Sequence, residues 1–379
     1  MISGSHSNRR TSRRGFSLLE MLTAMVIVAG VMLVIVRAMG RVQDTWVRTN
    51  ARVKESQDGR AALEVLSLRV PRATLNPYWS DAELNGNPGL LVESDLHFVC
   101  GPASELIGGN AAVGHAVFFQ APLGYHVQNR NTLTTASSQN ADEEYPHLVQ
   151  ALNAWGYFVE FGPEPTQAPS FLGPAQAPTS RRYRFRLMEF RQPTLELSLF
   201  KMDTSVPPAS LLSKATDQTT LYQWFRKPLS ESENLTKRRC AVVAENVLAV
   251  IFSPREGELS QGNNSSATGP TRLAPNYHFD SRRHQWEASN AVAELTRHRL
   301  PPVIRAAVVV LDEEEWNRRG DAGASSLGQE LTGVLSRYFT TASRFDSDME
   351  QLIGELNRRK VRFKVLPFDI AFPAGRPAS

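Results

Sequence analysis

A single carboxylate, Glu20, lies inside a long apolar stretch near the amino terminus. The sixteen residues that follow it, 21–36, carry no charge. Counted as residues 16–36, the segment has 21 residues and would span about 31 Å as an α-helix, which is the thickness of a bilayer's hydrocarbon core. A carboxylate there costs roughly 2.5 to 3.5 kcal/mol even on the lenient insertion scale, so its presence indicates a function.

The residues around Glu20 resemble the processing site of type IV pilins and type II secretion pseudopilins. A basic leader ends at Gly15, Phe16 follows, Glu20 is the fifth residue after the glycine, and the apolar run comes next. The resemblance implies that a prepilin peptidase cuts between Gly15 and Phe16 on the cytoplasmic side and methylates the new amino terminus. Gly15 has no side chain to obstruct a protease, and the freed amine of Phe16 could pair with Glu20 of a neighbouring subunit and offset the cost of burying it.

Two other interpretations of this stretch stay open. A cleaved secretory signal also has a basic start and an apolar core, and Val36-Arg37-Ala38 is a weak small-residue cleavage site. The position of Glu20 and the long amphipathic continuation of the stretch disfavour that interpretation. An uncleaved signal anchor is the second alternative.

The charge balance of the chain depends on its leader. The full sequence of 379 residues has 42 basic and 38 acidic residues, but four of the basic ones lie in residues 1–15, which contain no acid. Removing the leader leaves 38 basic against 38 acidic residues, so overall charge gives no argument for binding nucleic acid or an anionic surface. The leader's charge instead favours a cytoplasmic amino terminus and export of the remainder.

The two cysteines, Cys100 and Cys240, could form a disulfide if the globular part lies outside the inner membrane. Two separate buried thiols are the alternative, and the spacing leaves both possibilities open. Neither a CxxC pair nor a cysteine and histidine cluster with zinc spacing is present, so the sequence predicts no metal site.

Acidic residues elsewhere have structural interpretations that are simpler than a cation site. The run Asp312 to Glu315, before Trp316, could supply oxygen ligands, but successive acids after a strand suit the solvated start of a helix. Asp346 and Asp348 lack the glycine and terminal glutamate of a calcium loop.

The histidines do not complete a catalytic motif. His284, Glu287 and His298 do not form HExxH and are expected on the surface, while His115 could be a strand-edge residue or a base. Neither a P-loop nor a GxSxG turn occurs. The chain is therefore expected not to be an enzyme and to need no cofactor.

In one segment, arginines alternate with aromatic residues, a pattern that on a strand could bind nucleic acid. The residues are Arg181, Arg182, Arg184, Arg186 and Arg191 with Tyr183 and Phe185. A half-exposed strand explains the same pattern, so no nucleic acid is expected as a partner.

The apolar stretch is predicted to continue as one helix to Val70, because apolar residues recur at three and four positions until Pro71. Gly59 is the weakest point of its outer half, at a cost of about 1 kcal/mol relative to alanine. Beyond Pro71 the pattern is mostly extended. Strands are predicted at 90–92, 96–99, 116–120, 155–161, 182–190, 195–199, 246–252, 303–311 and 361–368.

Two finer expectations concern the sheet and the helices after it. Residues 182–190 and 195–199 should be neighbouring strands with one face in water, whereas 246–252 and 303–311 lack alternation and should lie mid-sheet. Helices are predicted at 210–225 and from two apolar stripes, at 327–338 and 349–356.

These patterns predict an α+β, pilin-like chain with a long membrane-spanning helix, a mostly antiparallel sheet and extra helices. Its parts are a leader (1–15), a helix (16–72, with 16–36 transmembrane) and an extracytoplasmic α+β domain (73–379) with flexible loops near 129–140, 162–180 and 255–275. The processing site, the length, the loops and the terminal region are similar to the Verru_Chthon cassette protein C family, a resemblance that adds no catalytic residues.

The resemblance implies a minor pilin or pseudopilin with a single pass through the inner membrane and its carboxyl-terminal domain in the periplasm or outside the cell. Its partners would be a prepilin peptidase, other pilin-like subunits and inner-membrane lipid. The alternative is a membrane-anchored extracytoplasmic binding protein or enzyme that uses a pilin-like signal.

Overall fold

A computed structural model describes residues 17–84, 87–108, 112–124, 151–163, 182–194, 197, 217–230, 239–256, 269, 271–287 and 290–372. It shows an α+β chain with one apolar helix near the amino terminus and antiparallel sheets after it. The chain divides into two compact units, Met1–Arg52 and Val53–Ser379. The predicted loop at 129–140 lies outside the described residues, as do most of those at 162–180 and 255–275.

The amino-terminal helix, α1, runs from Leu18 to Arg69 and is followed by a 3-10 turn, Val70–Arg72, that contains Pro71. The predicted end of this helix at Pro71 is therefore confirmed. Within the second unit, Ala62 and Leu66 are fully buried while Arg60 and Glu64 are exposed. This is the periodicity of an amphipathic helix packed on a core.

Eleven strands follow among the described residues. They are β1 (Tyr78–Leu84), β2 (Asn87–Glu93), β3 (Val99–Pro102), β4 (Ala112–Pro122), β5 (Leu152–Pro163), β6 (Tyr183–Gln192), β7 (Cys240–Glu245), β8 (Val247–Arg255), β9 (Phe279–Asp280), β10 (Val303–Leu311) and β11 (Phe363–Ala371). The later helices are α2 (Ala103–Leu106), α3 (Gln218–Leu221), α4 (Gln223–Ser230), α5 (Ala291–Thr296), α6 (Glu313–Leu335) and α7 (Phe345–Arg358).

The strands form three groups with antiparallel pairing throughout. A six-stranded sheet has the order β7-β6-β5-β4-β3-β9, a three-stranded sheet has the order β11-β10-β8, and β1 pairs with β2 as a hairpin. The expectation of a mostly antiparallel sheet is confirmed, but the strands are divided among several sheets.

The prediction that both strongly apolar strands lie mid-sheet is right for β10 and wrong for β8. Strand β8 is at the edge of its hydrogen-bonded sheet, and it is buried because β4 packs closely against it. Gly114 on β4 has a φ of +68°, and a Cβ atom there would lie 3.1 Å from the carbonyl oxygen of Val250. Tertiary packing therefore buries a strand whose pattern resembles that of a central one.

Strand β6 also differs from its prediction. It pairs with β5 and β7, and both of its faces are buried, so it has no wet face. The segment predicted beside it, 195–199, lies largely outside the described residues, although Leu197 is buried.

Both faces of the six-stranded sheet contribute to a core. On β4, Val117 and Phe119 join the main core with β8, β10, α6 and α7. Their neighbours Ala116 and Phe118 face the opposite way, into a second core with α2 and α4. This double burial explains why the strands read as continuous apolar runs instead of alternating ones.

Gly59 permits a close approach of α1 to the three-stranded sheet. A Cβ atom at this position would lie 2.7 Å from Cδ1 of Leu366 and 3.3 Å from Cγ2 of Val310. At the end of the same helix, Arg69 donates a hydrogen bond to the buried carboxylate of Glu189 on β6. Gly59 is therefore a packing position as well as a weak helix former.

The two helices predicted near the carboxyl terminus are present. Helix α7 contains the predicted stripe, whereas α6 begins fourteen residues earlier than predicted, at Glu313, and has a non-helical residue at Gly320, with a φ of +67°. The predicted helix at 210–225 is described only from Asp217, whose side chain caps α3 by accepting a hydrogen bond from the amide of Thr220 at 2.7 Å.

Candidate functional site

The segment Leu18–Gln43 of α1 is the one described helix long and apolar enough to cross a membrane. Its 26 residues rise about 39 Å as an α-helix. None of it is buried by the chain, and Leu18 and Met25 expose 84% and 73% of their surfaces. An apolar surface of this extent needs lipid or another protein to cover it.

Glu20 lies in the first turn of this helix, on an exposed position. Ser17 directly precedes the helix, and its carbonyl oxygen accepts from the amides of Glu20 and Met21 at 3.0 and 3.1 Å. A carboxylate is favourable there, since the amino-terminal end of a helix carries a partial positive charge. The side chain of Glu20 has no hydrogen-bond or ion-pair partner among the described residues, and Gly15 and Phe16 lie outside them.

A buried polar network that no sequence pattern indicated lies within the second unit. Nε2 of His97 lies 2.9 Å from Oδ1 of Asp280, and the indole Nε1 of Trp224 donates to Nδ1 of His97 at 3.0 Å. An indole N–H can only donate, so Nδ1 of His97 is the acceptor and Nε2 carries the proton directed at Asp280. The side chains of His97 and Asp280 are both fully buried.

Tyr222 extends the network toward the surface. Its hydroxyl donates to Oδ2 of Asp280 at 2.6 Å, so its oxygen is free to accept from Nε2 of His278 at 2.9 Å. Nδ1 of His278 lies 3.3 Å from a carboxylate oxygen of Glu105, whose pKa this contact lowers. The His97–Asp280 pair resembles part of a catalytic triad, but its burial leaves no access for a substrate, so it acts by fixing α4 to the sheet.

Three further histidines of the described residues, His115, His284 and His298, are structural as well. Nδ1 of His115 accepts from the amide of Phe252 at 3.0 Å, and burial lowers the pKa of His115 to about 4.

The expectation that His298 is on the surface is wrong, because it is 7% exposed and its Nδ1 accepts from the amide of Ser94 at 3.2 Å. Its ring lies 4.6 Å from that of His284, and burial lowers the pKa of both, to about 3 and about 4. Glu287 makes a simple ion pair with Arg283 at 2.8 Å.

The acidic run marks the start of α6, as predicted, but Asp312 is buried instead of solvated and lies 3.6 Å from Arg362. Glu313 accepts an ion pair from Lys54 at 2.8 Å. Asp348 is also buried and accepts from the amide of Phe339 at 2.9 Å. No group of three or more potential metal ligands occurs in the part of the chain that the structure describes.

The arginine segment does not form an exposed platform. Arg184 and Arg186 are 4% and 6% exposed, and Arg186 donates to the carbonyl oxygens of Gly162 and Pro163 at 3.3 and 3.2 Å. The half-exposed strand, which was the simpler interpretation, is wrong as well, because both faces of β6 are buried and these two arginines lie inside the protein.

The structure keeps the two cysteines apart, and they do not form a disulfide with each other. Cys100 is on β3 and Cys240 is on β7, with β4, β5 and β6 between them. Four strand spacings of about 4.8 Å separate them by roughly 19 Å, whereas a disulfide requires Cα atoms within about 7 Å.

This separation predicts unequal thiol reactivity. Burial raises the pKa of Cys100, whose side chain is inaccessible, whereas Cys240 is half-buried. In the native chain, a maleimide should modify Cys240 at least about tenfold faster than Cys100, and both should react after unfolding. Intact mass spectrometry before and after labelling measures this. An unlabelled native protein that is about 2 Da lighter than its reduced form would show a disulfide instead.

No protein-family model, curated protein or solved structure matches this chain. The geometry alone therefore defines its class as an α+β protein with one candidate membrane-spanning helix.

Proposed function

We propose that this chain is a minor pilin-like or pseudopilin-like subunit of the Verru_Chthon cassette protein C family. A prepilin peptidase cleaves it after Gly15, and its amino-terminal helix then assembles with other pilin-like subunits into a pilus-like or secretion-related complex. The helix anchors it in the inner membrane, and the α+β domain is periplasmic or extracellular. The observation that supports the proposal most is an exposed apolar helix whose first turn holds one carboxylate without a partner among the described residues.

The exposed surface of this helix supplies the driving force for both insertion and assembly. Leucine, valine, isoleucine and methionine side chains from Leu18 to Met39 expose between 52% and 84% of their surfaces. Full burial of each is worth roughly 1.5 to 3 kcal/mol. Lipid provides that burial before assembly, and the helices of neighbouring subunits provide it afterwards.

Glu20 gives the assembly its register. In lipid the carboxylate is unfavourable, and the chain offers it no partner among the described residues. The amine of Phe16, freed by cleavage, would be a cation at nearly the same membrane depth, since four residues rise only about 6 Å along a helix. Pairing between subunits would therefore satisfy both charges at one defined axial offset.

Replacing Glu20 tests this role. Glu20→Ala should leave the membrane-bound fraction unchanged but lower the share of the protein in cross-linked, high-mass complexes by at least about tenfold, which corresponds to about 1.4 kcal/mol. The measurement is carbonate extraction and in vivo cross-linking of the tagged full chain in the organism it comes from.

Thr23→Ala is the matched control. The Thr23 hydroxyl donates its one proton to the carbonyl oxygens of Leu19 and Glu20 at 3.1 and 3.0 Å, so it has none left for a partner, and it carries no charge; its removal should not affect assembly. Wild-type levels of complex with Glu20→Ala would contradict the role assigned to this carboxylate.

A further inference from the structure

A surface cavity of about 450 Å³ lies where the end of β8 meets the start of α7. It is independent of the amino-terminal helix. Its polar lining comes from three separate parts of the chain and consists of Arg255, Thr271, Arg272, Thr341, Ser343 and Asp346.

Two of the three charges in the lining are already neutralised. Arg272 donates from Nε and Nη2 to one carboxylate oxygen of Glu256, at 3.0 and 2.6 Å. Asp346 accepts an ion pair from Arg305 at 2.9 Å. Both partners are protein groups outside the lining, so neither charge is left for a ligand to balance.

Arg255 is the exception among the described residues of this lining. Its guanidinium makes no hydrogen bond or ion pair, and its Cζ atom lies 5.8 Å from the ring centroid of Phe345. Burial lowers the pKa of Arg255 and the charge of Arg305 lowers it further, whereas the more distant carboxylates of Asp346 and Asp369 oppose this without forming an ion pair. A buried donor without an acceptor costs about 1 to 3 kcal/mol, and more for a charged group.

Two other buried polar atoms near Arg255 also lack partners. Ser253 is two residues earlier on β8, so its side chain is on the same face of the strand, and its Oγ is buried without a hydrogen bond. The hydroxyl of Tyr277 is likewise buried without a hydrogen-bond partner among the described residues; burial raises its pKa, and the charge of Arg255 opposes that rise. These two unmet donors lie close to Arg255, although neither residue lines the cavity itself.

We propose that this cavity binds an oxyanion, the carboxylate or phosphate group of a small ligand, with Arg255 as its principal donor. A planar guanidinium matches two oxygens of either group in a bidentate arrangement. The hydroxyls of Thr271, Thr341 and Ser343 make no hydrogen bond within the described residues and can donate to the remaining oxygens. The ion pair with Arg305 offsets part of the repulsion between Asp346 and the anion.

Calorimetric titration of the full chain in detergent micelles tests the proposal, with inorganic phosphate and succinate as separate probes at low ionic strength. We expect saturable binding of at least one probe, weakened at least tenfold in Arg255→Gln. Arg337→Gln makes the same charge change at an exposed position two residues after α6, outside the cavity, and should bind as the wild type does.

The outcomes separate the ligand classes. Saturation by phosphate alone assigns a phosphate group, saturation by succinate alone assigns a carboxylate, and saturation by both assigns a general oxyanion site. Absence of saturable binding, or equal weakening in the two arginine variants, overturns the proposal. If Arg255→Gln fails to fold, the Thr341→Ala, Ser343→Ala double variant decides: a threefold or greater loss supports the site, and unchanged binding overturns it.

Discussion

Asp280→Ala is expected to lower the free energy of unfolding by about 3 to 5 kcal/mol. The substitution leaves three buried donors without their acceptor: Nε2 of His97 at 2.9 Å, the hydroxyl of Tyr222 at 2.6 Å and the amide of Arg282 at 2.7 Å. Urea unfolding of the full chain in detergent, followed by tryptophan fluorescence, measures the loss, because Trp224 belongs to the network.

Asp369→Ala is the matched control, because this aspartate is exposed on β11. It should change stability by less than about 0.5 kcal/mol. Equal, small effects of the two substitutions would contradict the structural role of the network.

The buried carboxylate of Asp280 also makes the stability of the fold sensitive to acid. Burial would raise the pKa of Asp280, but the contacts with His97, His278 and Tyr222 lower it more, so the net pKa lies below its usual value. A carboxyl whose folded pKa is depressed stabilises the fold above its unfolded pKa, near 3.9, and this contribution is lost as the pH falls through the folded value. Stability of the wild type should therefore fall more steeply below about pH 4 than that of Asp280→Asn.

Gly156→Val should destabilise the chain by about 3 kcal/mol or prevent folding. Gly156 on β5 lies opposite Phe118 on β4, and a Cβ atom at this position would overlap Cδ1 of that ring. The ring cannot move away easily, because it stacks on Phe225 at a centroid distance of 4.1 Å and meets Phe190 edge-on at 6.0 Å. Thermal unfolding of the full chain by circular dichroism measures the effect.

Gly354→Ala provides the contrast within the same protein. Gly354 lies inside α7, and a Cβ atom there would have no neighbour within 4 Å. Alanine should therefore stabilise the helix by about 0.5 to 1 kcal/mol. A Gly156→Val protein as stable as the wild type would contradict the packing of β5 against β4.

Local patterns predicted the elements that depend on local chemistry. The apolar run and the three-and-four spacing placed α1 and its end at Pro71, and a single stripe placed α7. Strand β7 was missed because its six residues are half-exposed and follow no regular alternation. Strand β8 was found, but its place at a sheet edge was not, because its burial comes from β4.

The buried polar network could not be predicted from local sequence patterns. His97 is separated by 127 residues from Trp224 and by 183 from Asp280, so no spacing in the sequence brings them together. The proposed oxyanion cavity could not be predicted from the sequence either. Arg255 is distinguished only by the partners it lacks, and this is a property of the folded chain. In contrast, the proposed processing site is a local sequence motif, and it stays a prediction because Gly15 and Phe16 lie outside the described residues.

The amino terminus of the mature protein tests the central claim most directly. The chain should be recovered from the membranes of the organism it comes from, digested, and its amino-terminal peptide sequenced by mass spectrometry. Processing at the proposed site predicts a peptide that begins with N-methylated Phe16. A chain that still begins at Met1, or one that begins downstream of Ala38, would contradict the proposal that this is a pilin-like subunit.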